Sequence, residues 1–152
     1  MSRYLLRTSL LVLLAGLVGC GSSNNLNTQL VEGVVTLDGQ TVDGATVEFI
    51  PAENGEGLAA SGFTDNAGKF NLTVLNPPEE NQVEVGSGTT PGQYQVTVRK
   101  AIVAPTPESS SRQTMGKKTY VVPQKYETVR TSGLTATVTE GSNNIQLDLQ
   151  SK

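Results

Sequence analysis

The sequence has no histidine, no tryptophan and a single cysteine, Cys20. Hydrolases of the Ser-His-Asp or Cys-His type need an imidazole to accept the proton of the nucleophile near neutral pH, so the sequence excludes that chemistry. Side-chain sites for zinc, copper or haem need clustered His or Cys ligands, which are missing as well. No Ser-x-x-Lys motif occurs, and Glu79 and Glu80 are adjacent, so in an extended segment they point to opposite sides. We therefore expect a protein that is not an enzyme and has no cofactor.

Calcium is the one metal whose ligands the sequence offers, at Asp65 and Asn66 in the segment TDNAGK. A full calcium loop repeats oxygen ligands at alternate positions and ends in a bidentate Glu. Ala67 and Gly68 follow here instead. The segment therefore predicts a turn in which Asp65 bonds its own backbone and Gly68 has positive φ, and no metal site.

Basic residues are also few, with 11 Lys and Arg against 14 Asp and Glu. Removing residues 1 to 19, which contain Arg3 and Arg7 but no acid, leaves nine basic and fourteen acidic side chains, a formal charge of −5. Phosphate backbones are bound by basic surfaces. We therefore expect no nucleic-acid partner.

Residues 1 to 20 have two arginines, an apolar run from Leu10 to Leu14, and small residues that end at Cys20. The run is too short to span a bilayer, so a cleaved signal peptide is the better interpretation. Leu17-Val18-Gly19-Cys20 resembles the bacterial lipobox, which implies a diacylglyceryl group on Cys20 and cleavage before it. The alternatives are an ordinary secretory signal or an uncleaved anchor. The prediction is a lipoprotein signal peptide (1–19), a polar flexible tether (20–29) and one domain (30–152).

The domain has strand periodicity throughout. Apolar residues recur at every second position in 30–37, 45–50, 58–64, 69–75 and 94–99. Two further alternating runs, 134–138 and 145–149, flank Gly141-Ser142-Asn143-Asn144 and predict a β-hairpin. Two excursions, Asn76–Gly92 and Ala101–Lys118, should contribute little to the core. The pattern predicts an all-β fold, a single antiparallel β-sandwich of about seven strands.

Several motifs are similar to a known family. The opening LDG…GATVEF and the segment PGQYQVTV resemble the carboxypeptidase regulatory-like domain, a transthyretin-like and immunoglobulin-like module. Together with the lipobox, PQKY and SGLTATVTEGSN, they resemble small lipoproteins of planctomycete bacteria. The resemblance implies a core position for Tyr94 and a non-catalytic role, but it names no ligand.

Two functional hypotheses follow. The first is a non-enzymatic, lipid-anchored cell-envelope protein whose sandwich is a binding or structural module, attached to the membrane through Cys20. The second is recognition or carriage of a small ligand or glycan, either in a pocket between the sheets or at the edge formed by Tyr120, Lys125 and Tyr126. These two tyrosines flank Pro123-Gln124-Lys125. The alternative role for them is to cover one end of the sandwich, with each hydroxyl bonded at its rim. The expected partners are the membrane and an envelope protein or glycan.

Overall fold

The computed structural model describes residues 26–52, 56–78, 81, 83–103 and 118–152. The predicted signal peptide, Cys20 and most of the predicted tether lie outside these residues. Strands dominate the described residues, so the prediction of an all-β fold is confirmed. The described residues contain eleven short strands, whereas about seven were predicted: β1 Val31–Leu37, β2 Gln40–Thr41, β3 Thr46–Pro51, β4 Ala60–Phe63, β5 Lys69–Asn71, β6 Thr73–Val74, β7 Gly92–Arg99, β8 Ala101–Val103, β9 Lys118–Tyr120, β10 Leu134–Val138 and β11 Asn143–Leu149.

One sheet is built around β1. β11 lies parallel to β1 along its whole length, from Val31 opposite Asn143 to Leu37 opposite Leu149. On the other side of β1, β5 and β2 pair antiparallel with its two halves. The expectation of a wholly antiparallel arrangement is therefore wrong for this pair.

A second sheet has the antiparallel strand order β10, β7, β3, β4, β6. β8 and β9 pair only with each other and form a separate two-stranded hairpin. A 3₁₀ turn, Gln124–Glu127, and a single helical turn, Val129–Ser132, connect this hairpin to β10 and pack on β7.

The predicted hairpin between residues 134–138 and 145–149 is wrong. β10 pairs with β7 in the second sheet, whereas β11 pairs with β1 in the first. The connection is thus an arch from one sheet to the other. The Gly141 turn is present, with φ of 94°, but a turn does not decide which strand each arm will pair with.

The predicted strand over 69–75 also divides between the sheets. Phe70, Leu72 and Val74 all point inward as expected, with exposures of 2%, 0% and 5%. The backbone pairs with β1 up to Asn71 and with β4 from Thr73 onward. The chain therefore crosses from one sheet to the other at the fully buried Leu72.

A single apolar cluster draws on both sheets. Phe49 of β3 lies between Phe70 of β5 and Tyr94 of β7, with ring centroids 6.3 and 5.8 Å apart. The inward position of Tyr94 is confirmed, since its side chain is 1% exposed. The cluster also contains Val35 and Leu149 from the first sheet.

The excursion Asn76–Gly92 contributes more to the fold than predicted. Thr89 is fully buried, and its hydroxyl donates a hydrogen bond of 2.6 Å to the carbonyl of Leu58. Gly88 donates its backbone N–H to Leu72, and Thr89 exchanges two backbone hydrogen bonds with Gln29. The end of this segment therefore closes the domain beside the first strand.

Candidate functional site

The three predicted binding residues occupy neighbouring elements but do not form one exposed surface. Tyr120 ends β9, while Lys125 and Tyr126 lie in the 3₁₀ turn. Tyr126 is 6% exposed and belongs to the core cluster. Its hydroxyl accepts a hydrogen bond from the backbone N–H of Gln150 at 2.9 Å and lies 3.3 Å from the Gln150 carbonyl. Tyr126 is thus a structural side chain that fastens the end of β11.

Lys125, like Tyr126, makes a hydrogen bond with the residues that follow β11. Its ammonium group donates to the carbonyl of Lys152 at 2.6 Å and lies 5.0 Å from the centroid of the Tyr126 ring. The pKa of the nearby Asp38 carboxyl is lowered, first by hydrogen bonds from Ser151 and further by the charge of Lys125. Lys125 therefore stabilises the last residues of the chain.

Tyr120 is the exposed member of the predicted set, at 36%. The Lys118 ammonium lies 4.4 Å from the centroid of its ring and 3.7 Å from a carboxylate oxygen of Glu127. The pKa of Lys118 is raised, chiefly by a hydrogen bond with Tyr120 and then by the negative charge of Glu127. The hairpin β8–β9 exposes Ile102 and Val103 as well, at 57% and 61%. These side chains project from the domain without forming a concave site.

A concave site occurs elsewhere, beside the point where the chain crosses between the sheets at Leu72. It is a groove of about 760 Å³ between β5 and the end of β4, within the size range of small-ligand sites. We call it the β4–β5 groove. Phe63, Leu75 and Val85 are its exposed apolar side chains, with exposures of 72%, 40% and 94%. Its polar lining comes from Glu32, Ser61, Asp65, Lys69, Asn71, Thr73 and Asn144.

A glycine brings β4 and β5 into close contact beside this groove. Gly62 faces inward on β4, and a Cβ there would overlap the carbonyl oxygen of Asn71. Only a residue without a side chain permits this close approach. Because Gly62 is directed inward, the next residue, Phe63, is directed outward to solvent.

Asp65 has the predicted turn role. Its carboxylate accepts the backbone N–H groups of Ala67 and Lys69 at 2.8 and 2.9 Å, and Gly68 has φ of 73°. Across the part of the chain that the structure describes, no three Asp, Glu, His or Cys side chains are grouped to hold a metal ion. Among the same residues, no helix is long and apolar enough to cross a membrane.

The sequence allowed a pocket between the sheets but did not locate this groove or its lining. Alternation placed Phe63 on the same strand face as Ala59 and Ser61, and the presence of Gly62 beside it was the available signal. What the sequence did not show is that β5 leaves β4 to pair with β1. Comparison with known proteins adds no further information: no family model, curated protein or solved structure matches this chain.

Proposed function

We propose that the chain is a non-enzymatic, lipid-anchored cell-envelope protein whose β-sandwich is a binding or structural module of the carboxypeptidase regulatory-like type. The sandwich interpretation is supported by the single core that β1, β5 and β11 share with β3 and β7. The lipid anchor rests on the Leu17-Val18-Gly19-Cys20 motif. Cys20 precedes Leu30 by a short, polar, uncharged segment that suits a tether.

The observation that carries the proposal is that the chain enters the domain at one end and has its exposed hairpin at the other. The chain enters at Gln29, which is bonded to Thr89 and accepts the backbone N–H of Gly141 at 2.7 Å. β1 runs away from this point for seven residues, about 20 Å at the usual rise of a strand. At its far end, Asp38 bonds the carbonyl of Leu149, and the next residue, Gln150, bonds the hydroxyl of Tyr126 in the 3₁₀ turn that follows β9.

The β8–β9 hairpin begins next to Lys100, at that far end. A domain held at Cys20 would therefore present Ile102, Val103 and Tyr120 on the side away from the membrane. Exposed apolar side chains that lie far from an anchor are available to a partner in the envelope.

The anchor is tested by Cys20→Ala with Ser22→Ala as the matched control. Cys20→Ala should abolish incorporation of a radiolabelled fatty acid and leave the precursor uncleaved, because the thiol is the acceptor of the lipid. Ser22→Ala should be labelled and processed as the unaltered chain is. A Cys20→Ala chain that still matures at residue 20 and partitions into detergent would show that the lipobox interpretation is wrong.

Recognition of a small ligand or glycan at the Tyr120 to Tyr126 edge is the second candidate. The exposed ring of Tyr120 is the observation in its favour. Burial of Tyr126 and the bond between Lys125 and Lys152 leave that edge with few groups that could contact a ligand. The β4–β5 groove offers a better arrangement for the same kind of ligand.

A further inference from the structure

We propose that the β4–β5 groove binds an uncharged glycan, with Phe63 as the surface on which a sugar ring stacks. The inference deepens the proposed function, since it names the ligand class of a module that we proposed to be lipid-anchored. It concerns a different surface from the β8–β9 hairpin and the Tyr120 to Tyr126 edge.

Phe63 is the most exposed aromatic side chain of the described residues. Four of the six aromatic side chains in the described residues are buried: Phe49, Phe70, Tyr94 and Tyr126. Of the other two, Tyr120 has the Lys118 ammonium over its ring, whereas Phe63 is 72% exposed. Together with Leu75 and Val85, Phe63 forms an exposed apolar patch inside a concave groove, which favours a binding surface over a packing role.

A row of polar side chains lines the same groove as Phe63. Glu32 lies opposite Asn144 on one neighbouring strand and opposite Asn71 on the other. These three side chains are exposed and stand side by side, about 5 Å apart from strand to strand. Within the described residues none of them makes a side-chain hydrogen bond, so their donors and acceptors are available to a ligand.

The combination matches the chemistry of a sugar. A sugar ring has an apolar face of C–H groups, which can lie on an aromatic ring, and a rim of hydroxyls that both donate and accept hydrogen bonds. The Glu32 carboxylate accepts only, while the amides of Asn71 and Asn144 donate and accept. The groove thus pairs one apolar platform with a mixed polar row, as small-molecule sites commonly do.

The charged side chains of the groove indicate which class of glycan it can bind. The groove has two carboxylates, Glu32 and Asp65, and one ammonium group, Lys69. The chain from Cys20 onward is also acidic, with fourteen acidic and nine basic side chains. Sulfated or uronic-acid polymers would be repelled, so the ligand should be uncharged.

The test uses the full chain, purified from whole cells solubilised in detergent and mixed with insoluble cellulose, chitin or mannan. We expect retention on at least one of these neutral polymers and none on heparin-agarose at the same salt concentration. Phe63→Ala should lower the retained fraction at least tenfold, since it removes the stacking surface. Tyr120→Ala, the matched loss of an exposed ring outside the groove, should leave retention within twofold.

Three results would overturn the inference: no retention on any of the three neutral polymers, unchanged retention of Phe63→Ala, or an equal loss in both variants. Thermal unfolding of both variants checks that the comparison is between folded chains. Fatty-acid labelling of Cys20 in the same preparations separates the two proposals. A labelled chain that binds no neutral polymer contradicts the groove alone, and an unlabelled chain that binds one contradicts the anchor alone.

Discussion

At the scale of single residues, Phe70 and Asn71 differ sharply in burial although they are neighbours on β5. Phe70 is 2% exposed and packs against Phe49 of the opposite sheet, while Asn71 faces solvent. Phe70→Ala should lower the free energy of unfolding by about 3–5 kcal/mol, because apolar burial is lost and a cavity remains. Asn71→Ala should change it by less than about 1 kcal/mol.

Denaturant unfolding of both variants measures this difference. Similar losses at the two positions would mean that β5 has no solvent face. Thr73 is unsuitable as a second surface control, although alternation places it on the outer face with Asn71. Its hydroxyl accepts the backbone N–H of Gly86 at 2.8 Å and so holds the adjoining loop.

At the scale of elements, the arch between β10 and β11 depends on the side chain of Asn143. Its Oδ1 accepts the backbone N–H of Thr139 at 2.9 Å, and its Nδ2 donates to the carbonyls of Thr139 and Gly141 at 2.9 and 3.1 Å. The Leu30 carbonyl lies 3.3 Å from the same nitrogen. This amide therefore links the arch to the start of β1.

Asn143→Ala should destabilise the domain by about 1–3 kcal/mol, because polar groups of the arch lose their partners in an 8% exposed position. Asn144→Ala, on the exposed side of the same strand, is the matched control and should stay within about 0.5 kcal/mol. Thermal or denaturant unfolding distinguishes the two. An equally stable Asn143→Ala chain would show that strand pairing alone holds the arch.

At the scale of the whole molecule, the β8–β9 hairpin is an appendage outside the two main sheets. Its six residues are all exposed, and Val103 pairs with Lys118. Residues 104 to 117, most of the second predicted excursion, lie outside the described residues. Replacing 104–117 by Asn-Gly should close the hairpin with a two-residue turn.

This replacement should leave the melting temperature within a few degrees, because the core cluster has no member in the hairpin and a shorter loop lowers the entropy cost of closure. A calorimetric scan of the shortened chain is the measurement. An unfolded product would mean that residues 104–117 supply contacts essential to the domain.

The sequence by itself determined which apolar side chains of the core strands point inward. Side chains of a strand alternate whatever its partner is, so the period of two predicted the inward positions of Phe70, Leu72, Val74, Tyr94, Val96 and Val98, and all six are buried. Turn residues such as Gly68 were predictable for the same local reason, because positive φ favours glycine.

The tertiary structure alone decided the pairing of strands, and with it the candidate site. Alternation is identical in β10 and β11, so it could not show that they belong to different sheets, or that β1 takes β11 as a parallel partner. Nor could it show the crossing at Leu72, by which β5 pairs with β1 while β6 pairs with β4, or the groove that lies beside Phe63. Pairing depends on which distant surfaces are buried together, and that free energy belongs to the assembled core rather than to any one segment.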